Sequence, residues 1–554
     1  MGRRLVVLGV FAAYFLCVLL LQRVTGAATA SFGQQETDEP SHFLASVLIR
    51  DYLTSGLHER PIAYATSYYA HFPYFAIGYW PPAFYAMAAL WMLVFGVSHG
   101  SALLLTATIT AVIATLVFSV ARRWGPAAVG FLWGALFLMT PEVVSASTMF
   151  MLDLPVTLFS FCALLALIRF SQNPDRVMNA VLFGGFATLT ILTKYSGAFV
   201  CLLPIALIVA TRRWKLFAKP TLWLQGAIVI AICGPWMFFT RRLMNVGLPS
   251  APDPVHATLF SALQSFSALL VYDEGAAITV AAVLAIVILS LRRRWTPEVF
   301  LYVASPVCLI AFLLPTSVSN EPRYLLPAIP AVIALAAAGL STGSRAKTPG
   351  ARIASWAVPA ILLAAGAATC AAQFPHYTPD RLTKLARYIA AQPHWRGNSI
   401  LLPATVEGPT IAAIAIEDRS RPSYVLVRPG KVMGDGDWFG VARIGFHSRE
   451  ELQAALQRES VNTIIVDRQA PADSKLDALI RDAVDNHPAQ WRRVAAIQPG
   501  WEIYQEPAMR QAAGGSSCFQ LKTLSRLKNW NPEAQHVSNP DCPSEASTNP
   551  TVKP

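Results

Sequence analysis

The chain has 554 residues, 54% of them hydrophobic and only 14% charged. A soluble globular chain carries about 25% charged residues, so this deficit, with its long uncharged runs, excludes an ordinary soluble protein and indicates an α-helical polytopic membrane protein. The formal charge of +12 is spread as basic clusters between apolar runs and forms no stripe, which argues against a nucleic-acid partner and for helices oriented by Lys and Arg.

The first apolar run, 5–22, follows "MGRR" and precedes "GAATA". That order resembles a secretory signal with a small-residue cleavage site, but a run of about 17 residues also suffices as an anchor, and it reads as an uncleaved one. Further candidate spans follow at 101–121, 124–142, 154–170, 177–193, 196–211, 220–240, 275–291, 299–318, 324–343 and 354–372. Hydropathy cannot divide the stretch from Pro61 to Ala121, which holds no Asp, Glu, Lys or Arg. Charge parity can. The clusters Arg3-Arg4, Arg122-Arg123, Arg169 with Arg176, Arg212 to Lys219, Arg292 to Arg294 and Arg345 to Arg352 all become cytoplasmic if the chain crosses about eleven times. A twelfth span at 81–97 would reverse the later clusters. "YWPPAFYAMAALWMLVFG" is therefore expected to be a helix in the outer interface, where Tyr, Trp and Phe suit the zone and Pro81-Pro82 suit a helix start. A re-entrant segment fits the same parity.

This arrangement predicts a cytoplasmic N-terminus, a helical bundle over residues 1–372, and long outer loops at about 23–100 and about 241–274. Residues 373–510 change character. "NSILLPA", "PSYVLVRP", "VNTIIVDR" and "WEIYQ" read as strands, and "DRLTKLARYIAAQ", "SREELQAALQRE" and "SKLDALIRDAVDNH" as amphipathic helices. Their alternation predicts a C-terminal extracytoplasmic α/β domain. Residues 511–554 are rich in Ser, Asn, Pro and Gln and read as a mobile polar tail. Cys17, Cys162, Cys201, Cys233, Cys308 and Cys370 read as small buried residues of apolar segments, with no metal spacing. Cys518 and Cys542 stand in the tail, where an oxidising compartment would let them pair.

Ionisable groups at a membrane boundary are candidates for function. Asp38 and Glu39 sit at the predicted outer mouth of the first span, where a carboxylate can take a proton from an acceptor; a helix N-cap before Pro40 is the structural alternative. Asp153, in "STMFMLDLPVTLF", is the sole acid between Glu142 and Asp175, and can equally cap the helix that follows. Lys194, in "LTKYSGAF", is the one charge between Arg176 and Arg212; it reads as a cation for phosphate or as a snorkelling side chain. Arg241, Arg242 and Arg323 lie on the predicted outer side, against the positive-inside trend, as phosphate ligands or, for the first two, as interface anchors. Outer acids and outer cations together suit group transfer from a lipid-linked phosphate.

The order of these motifs carries a resemblance. An anchor, an Asp-Glu pair in a long loop, "YFAIGYWPPAFYAM", "MLDLPVTLF", "TKYSG" and "PRYLLPAIP" together resemble the membrane glycosyltransferases of the GT-C fold, in the bacterial protein-O-mannosyltransferase and aminoarabinose-transferase group. The resemblance covers most of residues 1–345. It implies a polyprenyl-phosphate-linked sugar donor, a lipid, protein or polysaccharide acceptor, and inversion at the anomeric carbon on the outer face of a bacterial inner membrane. It implies Asp38 as general base with Glu39 beside it, Asp153 as the second-loop acid, and Lys194 and Arg323 as phosphate contacts. Tyr79, Trp80, Pro81, Pro82, Tyr195 and Tyr324 would border the substrate cleft. Trp80 departs from the pattern, because aminoarabinose transferases carry a Lys before the Pro-Pro pair. His71 is a weak substitute for that cation, with a satisfied interface histidine as its alternative. Adjacent carboxylates are compatible with a divalent cation, though no ligand set is visible.

Other classes remain open. A transporter would place ionisable residues near helix midpoints, whereas here they sit at helix ends. A non-catalytic scaffold is excluded only by the motifs, and an O-antigen ligase or glycan polymerase of related fold is the nearest enzymatic rival. A thiol probe on Leu90→Cys is expected to label from the outer interface; a pattern of full burial through 81–97 would overturn the eleven-span topology.

Overall fold

In a computed structural model of the chain, the described residues are 2–75, 78–244, 263–264, 267–268, 276–314, 321–341, 349–392, 398–418, 424–429, 434–436, 442–444, 449–458, 461–498, 500–506, 520–522 and 536–538. Cys518, Cys542 and nearly all of the predicted tail lie outside them. The chain forms two compact units, one of Met1–Ala30, Gly78–Arg241 and Leu248–Pro379, the other of Ser31–Ile77, Arg242–Gly247 and Asp380–Pro554.

The first unit is helical. Its helices include α1 (Gly2–Val24); after two helices of the other unit, α2 (Glu39–Asp51) and α3 (Pro61–His71), come α4 (Ala83–Phe95), α5 (His99–Ala121), α6 (Ala127–Leu138), α7 (Pro141–Ser147), α8 (Asp153–Gln172), α9 (Val177–Ile191), α10 (Leu203–Thr211) and α11 (Pro220–Met244). Helices Ala276–Leu291, Pro297–Leu313, Ile329–Leu340 and Pro349–Ala372 complete it. With 23 residues, α5 is about 35 Å long at about 1.5 Å per residue, enough to cross a hydrocarbon core of about 30 Å. Six described helices are long and apolar enough to cross a membrane. Of these, α5, α8 and Pro322–Leu340 are mostly buried, whereas α1, α11 and Ser355–Ala372 keep most of their apolar surface exposed. In water that surface would drive aggregation; against lipid tails it needs no cover.

Each predicted span has a helical counterpart, with three differences that have local causes. The span expected at 124–142 stops at Leu138 and resumes as α7 after a bend of 70°; Pro141 at the start of α7 lacks the N–H that continuity would need. The segment before Ile329 is a 3₁₀ turn, Pro322–Ala328, because Pro322, Pro327 and Pro330 each withdraw a donor. Four, Val177–Ile191, Tyr195–Thr211, Ala276–Leu291 and Pro297–Leu313, are apolar helices of 10–17 residues, shorter than the roughly 20 of a full crossing. Helix α4 has 13 residues, about 20 Å, and ends at Gly96 with φ 80°, a left-handed stop that favours glycine. Helices approach closely where residues are small: a Cβ on Gly339 would lie 2.6 Å from Ala285 Cβ. Cys233, Cys308 and Cys370 are buried as expected, but Cys201 is exposed and Cys17 and Cys162 are half-buried, since an apolar helix facing lipid has no reason to hide a thiol.

The second unit is built on a five-stranded sheet of order β2-β1-β5-β7-β6, with β1 at Ser399–Leu401, β2 at Val425–Val427, β3 at Gly434–Gly436, β4 at Ala442–Ile444, β5 at Thr463–Asp467, β6 at Arg492–Ile497 and β7 at Trp501–Gln505. β1 runs parallel to β2 and β5, and β7 runs antiparallel to β5 and β6. Period-two alternation sends side chains to opposite faces. Ile400, Leu402, Ile465 and Ile503 face one core; Leu401, Ile464, Val466 and Tyr504 face another, under the helices Arg449–Arg458 and Lys475–Asp485. The first core is completed by Leu44 of α2 and by Tyr64, Tyr68, Tyr69, Phe72 and Phe75 of the α3 region. The stretch 31–77, expected as part of the long first outer loop of the 1–372 domain, thus packs with the C-terminal sheet.

On the sheet, Arg468 donates to Asp485 at 2.7 and 2.8 Å, to Glu502 at 2.6 Å and to the Tyr504 hydroxyl at 2.7 Å. The Arg468 bonds hold Asp485 below the usual carboxylate range. Burial pushes Glu502 up, but its bonds from Arg468, Tyr504 and Arg493 bring it lower still. Stability from such depressed carboxylates is complete above their unfolded values near about 4 and is lost as pH falls through the folded values. Arg468→Gln is therefore expected to lower stability near neutrality and to move the acid unfolding midpoint to higher pH, with the gap from wild type closing as pH falls through the folded carboxylate values, measured by intrinsic fluorescence during denaturant unfolding at a series of pH values; a gap that does not close on acidification would dismiss the linkage.

Candidate active site

Asp153 is the first residue of α8, and no side-chain cap bond is made at that terminus. Its carboxylate instead accepts from Lys194 Nζ at 2.6 Å, with side chains 4% and 8% exposed. Lys194 is thus buried. It stands in extended backbone between α9 and the 3₁₀ turn Tyr195–Leu202, where its side chain can cross to α8. Lys194 Nζ also lies 4.1 Å from the centroid of the Tyr324 ring, and Arg323 Cζ lies 5.9 Å from that centroid. Arg323 pairs with the Glu321 carboxylate. Three segments far apart in sequence thus converge on one ring and two cations, each cation with one acid beside it. Cation and ring attract through the ring's quadrupole, most strongly where water is excluded.

The "YWPP" corner is tied to the same region. The Ala83 N–H, just after Pro81-Pro82, donates to the Leu192 carbonyl at 2.8 Å, and the Tyr79 and Trp80 rings meet edge to face at 5.0 Å. Tyr195 accepts from Trp236 Nε1 at 3.2 Å and lies 3.4 Å from Thr240 Oγ1. Arg241 is exposed near the end of α11, 4.0 Å over Phe238. Arg242 belongs to the same helix, and its side chain lies outside the described residues.

Asp38, Glu39 and His71 belong to the second unit. Asp38 precedes α2 with helical dihedrals and no side-chain cap bond, so the capping alternative does not describe it. Its carboxylate is half-buried and makes no hydrogen bond or ion pair with the described residues. Glu39 is buried and accepts from the Gly33 N–H at 2.7 Å. His71 is buried with Nδ1 3.3 Å from the Tyr424 carbonyl, the satisfied histidine of the structural alternative. Among the described residues no three His, Cys, Asp or Glu side chains are grouped as metal ligands. The sequence reading missed Trp236, Thr240 and the surroundings of Asp38, namely Tyr74, Glu407 and Arg428, because hydropathy ranks none of them.

Lys194→Met strands Asp153 as an unpaired buried carboxylate and is expected to cost about 3–5 kcal/mol, read as thermal unfolding in detergent. Adding Asp153→Asn should restore most of that loss. Equal melting of the single and double variants would show that the pair is not its source.

Residues 80–239 match the family described as dolichyl-phosphate-mannose-protein mannosyltransferase. No curated protein sequence matches the chain. Among solved structures, ArnT from Cupriavidus metallidurans in the apo state aligns with 90% of this chain and 98% of its own, at 17% identity and a TM-score of 0.56. The same protein bound to undecaprenyl phosphate aligns over the same shares, at 16% identity and a TM-score of 0.52. The archaeal oligosaccharyltransferase of Archaeoglobus fulgidus in the apo form aligns with 83% of this chain and 69% of its own, at 12% identity and a TM-score of 0.50. The chain has the GT-C fold of polytopic membrane glycosyltransferases, and resembles the ArnT and protein-mannosyltransferase group in fold over most of its length and in sequence over residues 80–239.

Proposed function

We propose that the protein is a glycosyltransferase that moves a sugar from a polyprenyl-phosphate donor to an acceptor at the outer face of a bacterial inner membrane. The observation that carries this reading is the pair of cations, Lys194 and Arg323, gathered at the Tyr324 ring within a membrane fold. An ammonium carries three donors and a guanidinium five in a fork that matches phosphate oxygens. In a low-dielectric site such donors stabilise charge that develops on a leaving phosphate. They also supply the cation that Trp80 does not. The ArnT complex with undecaprenyl phosphate supports the donor class.

In the proposed step the acceptor oxygen or nitrogen attacks the anomeric carbon from the face opposite the phosphate. The new bond to that carbon forms as the carbon–oxygen bond to phosphate breaks. The bonding electrons leave on the phosphate oxygen, and the acceptor proton passes to Asp38. One displacement inverts the anomeric centre.

The test is to incubate purified protein in detergent or nanodiscs with a panel of polyprenyl-phosphate sugars and follow release of polyprenyl phosphate. Asp38→Asn should lose turnover by about 10²–10⁴-fold, the contribution expected of a general base, with donor binding retained. Wild-type turnover in that variant would remove Asp38 as the base; no release with any donor would remove the donor class.

A further inference from the structure

Arg428 follows β2 in the C-terminal sheet, yet its side chain serves the first loop. Its Nε donates to Glu407 Oε1 at 2.8 Å, and a second guanidinium nitrogen reaches the same oxygen. A third donates to the Pro73 carbonyl at 3.1 Å. The guanidinium carbon lies 4.3 Å over the Tyr74 ring. The Tyr74 hydroxyl in turn donates to the Thr37 carbonyl at 3.3 Å, one residue before Asp38. Burial pushes that phenol up to about 12, with Arg428 opposing and Glu407 and Asp38 adding to the rise, so it stays protonated and able to donate at neutral pH.

The helix Glu407–Glu417 closes the other side. A Cβ on Gly408 would stand 2.4 Å from Tyr74 Cε1 and Cζ, so the ring packs too closely on this backbone for a side chain at 408 to fit without displacing it. Pro409 touches the loop at Gly33, where an added Cβ would be 3.0 Å from Pro409 Cγ. Gly33 has φ 78° and gives its N–H to Glu39. Two separate contacts from the C-terminal domain therefore clamp the ends of the 33–38 loop.

We propose that Arg428 is a positioning residue for transfer: through Pro73, Tyr74 and Thr37 it fixes the backbone that carries Asp38. The proposal rests on the reading of Asp38 as the base. It gives the C-terminal domain a direct part in catalysis, as the element that holds the loop carrying the base in one geometry. Reacting groups misplaced by about 1 Å can lose about 100-fold in rate.

Arg428→Met alone leaves Glu407 buried and unpaired, so the informative variant is Arg428→Met with Glu407→Gln. Gly408→Ala is the second variant, which displaces the Tyr74 ring without altering charge. Both are expected to lower kcat by about 10- to 100-fold with donor KM unchanged; thermal unfolding stays close to wild type in the double variant and falls modestly in Gly408→Ala, where the added methyl overpacks the contact. Amide exchange in the peptide 31–42 should quicken while that of β5 and β7 does not. Rates are read as polyprenyl phosphate release. Wild-type kcat in both variants, with Asp38→Asn inactive, would overturn the positioning role and leave the base intact. Wild-type turnover in Asp38→Asn would overturn the base and the positioning role with it.

Discussion

A hydrocarbon layer offers no hydrogen-bond partner, so a chain that crosses it must satisfy its backbone within each helix and keep charge at the ends or in pairs. The buried pair Lys194–Asp153 is where this constraint acts on function. A lone ammonium at that burial would be costly, and the carboxylate at 2.6 Å meets the cost. The pair also has a geometric consequence. It fixes the start of α8 against the extended break after α9, and Tyr324 then seats on the ammonium from a third segment. Side chains separated by many helices in sequence are held in one place by a single charge-neutral contact.

Proline shapes the same place. In "PRYLLPAIP" three prolines withhold backbone donors, so the approach to Ile329–Leu340 winds as a 3₁₀ turn. That turn is tighter than an α-helix and carries Arg323 and Tyr324 at its start. "YWPP" works similarly: Pro81 and Pro82 delay the start of α4, and the first available N–H, that of Ala83, reaches across to Leu192 beside Lys194. The candidate phosphate-binding residues therefore sit on backbone with few alternative conformations, which suits a site that must be organised before charge develops.

Much of this was legible in the sequence because the signals are local. Apolar runs located the helices, and the short apolar segments "NSILLPA", "VNTIIVDR" and "WEIYQ", set between amphipathic helices, located β1, β5 and β7. Strand β6 was not found, since Arg492-Arg493 open it and its burial does not alternate. The helix Glu407–Glu417 was hidden by its Gly-Pro start. The larger omission was long-range. Hydropathy saw an uncharged stretch from Pro61 and could not tell aromatic residues of an interface from those of a core. Tyr64, Tyr68, Tyr69 and Phe72 turn out to fill the core beneath the C-terminal sheet. Likewise, Arg428 and Pro73 are partners 355 positions apart, a separation at which no pattern in the sequence indicates contact.

The adjacent acids that open α2 illustrate how one helical step separates two tasks. Glu39 is 2% exposed, and Oε2 receives the Gly33 N–H at 2.7 Å. A carboxylate so deeply covered and already engaged by a backbone donor cannot meet an incoming hydroxyl. Its place is to hold the turn that precedes the helix. Asp38, one residue earlier, is half-buried and has no hydrogen bond from the described residues, so both of its oxygens retain lone pairs for an acceptor proton. On the proposed reading the two acids are therefore not interchangeable. Glu39 sets where the backbone of Asp38 stands, and Asp38 uses that position. The arrangement also explains why a glycine is required at 33: the N–H that Glu39 engages is presented from a backbone with φ 78°, a conformation that any side chain would strain.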